Sequence, residues 1–263
     1  MIKLPTALIT ILSAILTVAL TFDAGAAGDT TASDTKAMEK LKMAIVFGDV
    51  AYPQDSRIQK TYFDHLRDGL TLRGKWGLHN YYPEKGFQYE VLQALRAMPL
   101  IDEYKPEVVI FHFSYTDTYV HMTTNGLAPM TDVVTFKSRL TAVTKYCRER
   151  QARVILMTPV HMQWNDGLRK AYGATPPFNV KDPDGFNAIA IGHIEAVREV
   201  AREQQVELLD VYEILRKVAQ TNRKKPLTLM LDSMHINNDG HKLIGKKLAE
   251  MILKPPQPTP NHQ

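Results

Sequence analysis

Short apolar runs that alternate with longer amphipathic segments place the strongest constraint on how this chain folds. Residues 42–47, 108–111 and 153–157 are mostly apolar, and each run is short enough to suit a buried strand. Alternating strands and helices favour right-handed β-α-β crossovers, which place helices on both faces of a parallel sheet. We therefore predict an α/β fold with a mainly parallel central sheet. Two further strands are predicted at residues 75–81 and 206–211, and helices at residues 58–72, 87–98, 131–151, 184–204 and 239–253.

The composition fits one globular domain. The chain has 263 residues, of which 44% are hydrophobic, and this is enough to bury one sizeable core. We assign the domain to residues 41–253. Residues 28–40 lack periodic apolar positions and are predicted to be a flexible leader, and residues 254–263, with four prolines, are predicted to be a disordered tail.

Residues 1–27 have the pattern of a secretory signal peptide. Lys3 provides a positive start, residues 4–22 carry no charge, and Ala24-Gly25-Ala26 offers small residues for cleavage. An uncleaved membrane anchor is the alternative, because the apolar run is long. The single cysteine, Cys147, excludes an internal disulfide. We expect a periplasmic or secreted protein that contacts a membrane only if this segment is uncleaved.

The charge pattern argues against a nucleic-acid partner. The formal net charge is only +4, and the densest basic clusters are Arg223-Lys224-Lys225 and Lys246-Lys247. These clusters lack the interleaved aromatic residues and the continuous basic stripe of a nucleic-acid surface. We interpret them as solvated faces and expect no nucleic-acid binding.

Polar residues that follow the predicted strands are the candidates for chemistry. Asp232 and His235 form an Asp-x-x-His just before the last predicted helix, a spacing that can hold a carboxylate against an imidazole. Gly48-Asp49, residues 114–117 and residues 158–161 each follow a predicted strand. Because sites in parallel sheets form beyond the carboxyl ends of the strands, we expect these loops to meet at one edge.

Residues 42–253 resemble the SGNH, or GDSL-like, hydrolase superfamily, a flavodoxin-like three-layer α/β/α group of esterases, lipases, thioesterases and carbohydrate deacetylases. Four blocks carry the resemblance in the family's order: Gly48-Asp49-Val50, Gly86, Ser114-Tyr115-Thr116-Asp117 and Asp232-Ser233-Met234-His235. The last block, followed by Asn237 and Gly240, is the most specific. The resemblance implies a small-molecule ester or an acylated carbohydrate as the partner, with Asp49, Val50, Gly86, Ser114, Thr116 and Asp117 at the substrate.

The chain departs from the family at three of these positions. In the family a serine attacks the acyl carbonyl, a histidine accepts its proton, and an aspartate orients the imidazole. A glycine N–H and an asparagine amide stabilise the oxyanion together with the serine N–H. Here Val50 replaces the serine, Ser114 replaces the glycine of the third block, and Thr116 replaces the asparagine. The resemblance thus implies a base without its usual nucleophile.

Two alternatives for the nucleophile follow from the sequence. Ser56 could reach His235 if residues 50–54 bulge out, although a serine ahead of a helical pattern also suits capping of helix N–H groups. In the second alternative His235 activates water directly, with Asp232 orienting the ring.

Other polar and aromatic residues have both a functional and a structural interpretation. Asp49 and Asp117 could shape the site or simply brace their turns. The aromatic residues could line a cleft for sugar rings or belong to the core; they are Trp76, Trp164, Tyr52, Tyr81, Tyr82, Tyr115 and Tyr119. The histidines outside the last block do not show metal-binding spacing, so we expect no metal and no cofactor; they include His112, His121, His161, His193 and His241.

Two functions are compatible with this reasoning. The first is an exported esterase, O-deacylase or acyl-transfer enzyme that uses the Asp232–His235 pair with an atypical nucleophile. The second is a catalytically inactive relative that keeps the cleft to bind a carbohydrate, an acylated ligand or an envelope partner. They differ in whether a hydroxyl group other than that of the missing serine lies within reach of His235.

Overall fold

The computed structural model describes residues 42–51, 55–74, 76–81, 90–114, 116–123, 126–181, 185–221 and 228–255. All of these residues belong to one compact unit, Glu39–Gln263. Within the described ranges, no helix is long and apolar enough to cross a membrane. The elements in chain order are β1 (Lys42–Gly48), α1 (Tyr62–Thr71), β2 (Trp76–Tyr81), α2 (Glu90–Arg96), α3 (Met98–Tyr104), β3 (Val108–His112), β4 (Val120–Thr123), β5 (Gly126–Pro129), α4 (Val133–Glu149), β6 (Arg153–Met157), α5 (Asp166–Tyr172), α6 (Ala190–Glu203), β7 (Glu207–Leu209), α7 (Val211–Thr221) and α8 (Asn238–Leu253).

Five strands form a parallel sheet in the order β2-β1-β3-β6-β7. Side chains alternate between the two faces, as strand geometry requires. Ala44 and Val46 of β1 pack in a cluster with α1 and α8, whereas Ile45 and Phe47 pack in a second cluster with α2, α4 and α6. The strand order and the two helical layers are those of a flavodoxin-like α/β/α sandwich, which confirms the predicted fold class.

The first helix begins four residues later than predicted. Thr61 is its N-cap, and the Thr61 side chain and the Asp64 side chain each accept a hydrogen bond from the other residue's backbone N–H. This reciprocal pair is a capping box, which fixes a helix start more strongly than apolar spacing does. Ile58, the predicted first residue, instead donates its backbone N–H to the carbonyl oxygen of Asp55 in a turn.

Other predicted boundaries were wrong for local reasons. The described part of the predicted helix 87–98 forms α2, which ends at Arg96, and the first residue of α3. Pro99 cannot donate a backbone N–H to continue α2 and instead lies in the first turn of α3. The predicted strand 206–211 is only Glu207–Leu209, because the Asp210 carboxylate accepts the backbone N–H of Glu213 and starts α7. The predicted helix 184–204 begins at Ala190, after a one-turn 3-10 helix. The β4–β5 hairpin and α5 were not predicted.

Candidate active site

A tight loop ahead of α8 holds Asp232 and His235. An antiparallel bridge between Met230 and Ile236 closes this loop, and the backbone N–H of Leu231 donates to the carbonyl oxygen of His235 at 2.8 Å. The Asn237 side chain caps α8 by accepting the backbone N–H of Gly240. We call residues 230–236 the base loop.

The two side chains of the base loop form a hydrogen-bonded dyad. One carboxylate oxygen of Asp232 lies 2.8 Å from His235 Nδ1, and the other accepts the backbone N–H groups of Met234 and His235. Partial burial raises the pKa of Asp232, but hydrogen bonds from His235 and Met234 outweigh it and hold the pKa below its usual value. Because the ionised carboxylate only accepts, we assign the proton to Nδ1. Nε2 is then the ring atom that can act as a base.

The end of β1 has a different character. A side chain at Gly48 would place its Cβ 2.4 Å from the carbonyl oxygen of His112, so the close approach of β1 to β3 requires glycine here. Val50 follows in a one-turn 3-10 helix, Asp49–Ala51, is only 2% exposed, and packs in the core cluster of α1 and α8. The position after Gly-Asp therefore holds a core side chain. The Asp49 side chain and all of Gly86 lie outside what the structure describes.

Residues of the third block, 114–117, connect the carboxyl end of β3 to neighbouring elements. Ser114 is buried, and its Oγ accepts the backbone N–H of Val160 after β6 at 3.1 Å. Asp117 is also buried and accepts the backbone N–H of Val91 and the hydroxyl of Thr131, while burial raises its pKa. Thr116 is half-buried in the same turn. Ser114 and Asp117 thus connect β3 to β6, α2 and the start of α4.

The turn that carries Ser56 is fastened beside the base loop. Asn238 accepts the backbone N–H of Gln59 at 2.8 Å and donates to the carbonyl oxygen of Arg57 at 3.1 Å. Hydrogen bonds from Arg57 hold the pKa of Asp55 well below its usual value. Asp55, and then Asp232, raise the pKa of Arg57. The guanidinium of Arg57, next to Ser56, is thus attracted by the Asp232 carboxylate.

Ser56 itself is exposed and does not cap a helix, because Thr61 caps α1. The helix-capping interpretation was therefore wrong. Among the described residues, no hydrogen bond joins Ser56 to His235. Catalytic hydrogen bonds are often long before substrate binds, so Ser56 stays a candidate nucleophile without being a formed partner of the dyad.

The predicted aromatic cleft is only partly assembled. Trp76 pairs with Lys42 at the amino end of β1, and so lies at the opposite edge of the sheet from the dyad. Tyr81 packs on Phe47 with ring centroids 5.2 Å apart. Trp164 and Tyr119 do lie on the side of the dyad. Tyr52, Tyr82 and Tyr115 lie outside the described residues.

An apolar pocket adjoins the base loop, and sequence reasoning missed it. Met234, between Asp232 and His235, lines this pocket together with Tyr119 and residues of the segment between β6 and α6. The sequence predicts no helix or strand in this segment, between the strand 153–157 and the helix 184–204. Its aromatic content was the available signal, but spacing along the chain does not show which rings meet.

Buried histidines lie behind the site. Burial lowers the pKa of His112 to about 3 and that of His241 to about 4. The His241 Nδ1 accepts the backbone N–H of Tyr62, and the Tyr62 ring lies 5.4 Å from that of His112. In the described part of the chain, no group of three or more His, Cys, Asp or Glu side chains is arranged to hold a metal ion.

Three solved structures with the same architecture are named as esterases or lipases. An acetyl xylan esterase, AlAXEase, superposes with a TM-score of 0.60 at 18% identity, covering 80% of this chain and 100% of its own. A lipase/acylhydrolase from Enterococcus faecalis gives 0.58 at 17% identity, covering 84% and 100%. A protein from Parabacteroides merdae designated a GDSL-like lipase gives 0.55 at 14% identity, covering 80% and 96%.

Comparison of the amino-acid sequence with family models and with curated proteins finds no match. No protein-family model matches the chain, and no curated protein matches it. The structural likeness nevertheless extends over at least 80% of this chain in each case and over nearly the whole of the other proteins. The chain therefore has the fold of the SGNH, or GDSL-like, hydrolases.

Proposed function

We propose that the protein is an esterase or O-deacylase that acts on a small-molecule ester or an acylated carbohydrate, with His235 as the general base. The observation that carries this proposal is the dyad, in which Asp232 holds the His235 ring at 2.8 Å and is itself fixed by two backbone N–H groups. This is the arrangement that orients an imidazole for proton transfer. The structural neighbours named acetyl xylan esterase and lipase/acylhydrolase support an ester as substrate.

Ser56 is the nucleophile in this proposal. Its Oγ attacks the acyl carbonyl carbon while its proton passes to His235 Nε2, and the ester C–O bond breaks as the imidazolium returns that proton to the leaving alkoxide. Water, deprotonated by His235, then attacks the acyl-Ser56 carbonyl; the bond between the acyl carbon and Ser56 Oγ breaks, the imidazolium returns its proton to Oγ, and the acid is released. The two hydrogen bonds that Asn238 makes support this role, because they fasten Arg57 and Gln59, close to Ser56 in the chain, to the start of α8 just after His235.

An esterase assay on four proteins tests the proposal. We expect p-nitrophenyl acetate hydrolysis by the wild type, and a fall in kcat/KM of at least about 100-fold in both His235→Ala and Ser56→Ala, since general acid–base catalysis alone contributes that much. Arg57→Ala keeps Ser56 and serves as the control for disturbance of the turn. Loss in His235→Ala with retention in Ser56→Ala would show that His235 activates water directly. Equal activity in wild type and His235→Ala would overturn the proposal.

A second function, ligand binding without catalysis, is favoured by one observation. The position that holds the serine in the family is occupied here by Val50, whose side chain is 2% exposed in the core. For this alternative we expect no hydrolysis by wild type or Ser56→Ala, and hydrolysis only after Val50→Ser. That single result would contradict the esterase proposal and would show that the protein is an esterase inactivated by the loss of its serine.

We also propose export to the periplasm or the cell exterior, supported by the uncharged segment between Lys3 and Asp23 in the sequence. Mass spectrometry of protein recovered from the periplasmic fraction should give a chain shortened near residue 27. Recovery of the full-length chain in the cytosol would contradict export, and recovery of the full-length chain in the membrane fraction would show an uncleaved anchor.

A further inference from the structure

The pocket beside the dyad is built from aromatic rings that fix one another. Phe178 and Phe186 stack with centroids 5.4 Å apart at an interplanar angle of 25°. Trp164 lies 5.0 Å from Phe186, and Tyr172 lies 5.6 Å from Phe178. Phe178 and Phe186 are each only 8% exposed. Tyr172, Phe178 and Phe186 line the pocket, and Trp164 packs on Phe178 and Phe186. Rings that pack on one another lose little further freedom when a ligand binds, so this wall is preorganised.

Hydrogen bonds connect this wall to the base loop. Asn187 is fully buried, and its amide both accepts the backbone N–H of Met162 at 2.8 Å and donates to the Met162 carbonyl oxygen at 2.7 Å. The next residue, Gln163, donates its backbone N–H to the carbonyl oxygen of Ser233, inside the base loop. Met162 and Met234 both line the pocket. These hydrogen bonds fix the position of the pocket relative to the dyad.

The pocket excludes charge and has room for one ring. None of the described residues that line it carries a charged side chain, so a charged group would be desolvated there without a partner. Its volume is about 190 Å³, and an apolar protein cavity of about 150 Å³ is known to hold benzene. An acetyl group would leave most of this space empty. A flat ring can also stack against Phe178, Phe186 or Tyr172.

From these observations we infer that the pocket binds an uncharged aromatic ring of the ligand and presents the attached ester to His235. This inference rests on the proposed function for the ester, and adds the substrate class: aryl-bearing esters in preference to simple acetates. The aromatic ring is favoured over an aliphatic chain because the wall offers ring faces, and Met162 and Met234 add polarisable sulfur near the ring edge.

Binding is measured separately from catalysis by ligand-observed NMR on the His235→Ala protein, which cannot use its base. We expect methyl benzoate to bind at least about tenfold more tightly than methyl acetate, given about 0.8 kcal/mol for each buried apolar carbon. Methyl cyclohexanecarboxylate, of similar size without a ring face, should bind several-fold more weakly than methyl benzoate. Benzoate should bind at least about tenfold more weakly than methyl benzoate, because its carboxylate would take the position of the ester, next to the ionised Asp232 carboxylate.

Two variants on the peripheral helix α5 locate the binding site. Leu168 lines the pocket and Lys170 is exposed on the same helix, in which no side chain is buried. Leu168→Trp should fill the pocket and weaken methyl benzoate binding at least about tenfold, whereas Lys170→Trp should leave it unchanged. Phe178→Leu removes one ring of the wall and should reduce the preference for methyl benzoate over the cyclohexane ester.

Several outcomes would overturn this inference. They are equal affinity for methyl benzoate and methyl acetate, equal affinity for the aromatic and cyclohexane esters, or full binding in Leu168→Trp. The two proposals fail separately. Methyl benzoate binding without any His235-dependent hydrolysis would overturn only the proposed function, whereas His235-dependent hydrolysis without preference for aryl esters would overturn only the assignment of this pocket.

Discussion

The base loop and the adjoining strand ends belong to one candidate site but have opposite physical characters. In the base loop, the side chains of Asp232 and His235 are 39% and 36% exposed and bond to each other. At the ends of β1 and β3, Val50, His112 and Ser114 are all at most 2% exposed. One half of the site contacts solvent through polar groups, and the other half belongs to the core.

This difference shows where the chain can change its chemistry without changing its fold. The Asp232 carboxylate is satisfied by partners within the base loop itself. Val50 belongs to the cluster that joins the sheet to α1 and α8, and Ser114 Oγ connects β3 to β6. Substitutions in the base loop should therefore change activity, and substitutions at the strand ends should change stability.

The largest expected effect is that of His235→Ala on activity. Removing the base should lower kcat/KM for p-nitrophenyl acetate by at least about 100-fold. Because His235 is partly exposed, the free energy of unfolding should change by less than about 1 kcal/mol. Steady-state kinetics and urea unfolding measure the two quantities. His65→Ala, on α1, serves as a histidine control, and a large loss of stability in His235→Ala would break the contrast between the two halves.

Val50→Ser should change mainly the free energy of unfolding, whereas His235→Ala should change mainly the activity. The change removes buried methyl groups and introduces a hydroxyl into the core, which together should lower the free energy of unfolding by about 2 kcal/mol. Val134→Ser, at a position that is 79% exposed, should change it by less than about 0.5 kcal/mol. Urea unfolding compares the two variants. Equal stability of Val50→Ser and wild type would show that Val50 does not act as a core residue.

The strand-end half should also make stability depend on pH. Burial lowers the pKa of His112 from the ordinary value of 6.5 to about 3. Between these two pH values, the imidazole is therefore protonated in the unfolded chain and neutral in the folded protein. Stability should therefore fall as pH drops from about 6.5 towards 3, by up to about 1.4 kcal/mol per pH unit from this residue.

His112→Phe should make that dependence shallower by up to the same amount, about 1.4 kcal/mol per pH unit. Urea unfolding between pH 4.5 and pH 6.5 measures the slope. Phe111→Leu perturbs the same strand without a titrating group and should keep the wild-type slope. An unchanged slope in His112→Phe would mean that this histidine does not resist protonation in the folded protein.

The smallest expected effect concerns Asn238, which joins the Ser56 turn to the start of α8. Asn238→Ala removes two partly exposed hydrogen bonds and should lower the free energy of unfolding by about 1 kcal/mol. It should also lower kcat/KM several-fold, because Ser56 would no longer be held beside His235. Thr71→Ala removes another exposed side-chain hydrogen bond, to the Arg67 carbonyl oxygen at the C-terminal end of α1, and should leave kcat/KM unchanged. Full activity in Asn238→Ala would show that catalysis does not require Asn238 to hold Ser56 beside His235.

Local sequence patterns predicted the sheet and the dyad well because both depend on nearby residues. The apolar runs at residues 108–111 and 153–157 correspond to β3 and β6, and the Asp-x-x-His spacing corresponds to a bonded pair. Boundaries set by side-chain caps were harder, since Thr61 and Asp210 override the apolar periodicity that suggests longer elements.

Long-range features could not be predicted from one sequence. Asn238 bonds to the backbone of Gln59, which is 179 residues away, and no local pattern indicates that contact. The aromatic pocket has the same origin: Phe178 and Phe186 meet Trp164 only because Asn187 fixes this segment to Met162. The burial of Val50 likewise depends on α1 and α8 covering the sheet.

Fluorophosphonate labelling followed by peptide mapping tests most directly whether His235 activates the hydroxyl of Ser56. The wild-type protein should carry one adduct on the peptide that contains Ser56, and His235→Ala should carry at most about 1% of it, because the base is needed to activate the hydroxyl. An active serine esterase labelled in parallel controls for the reagent. Absence of an adduct on Ser56, or equal labelling of wild type and His235→Ala, would contradict the account.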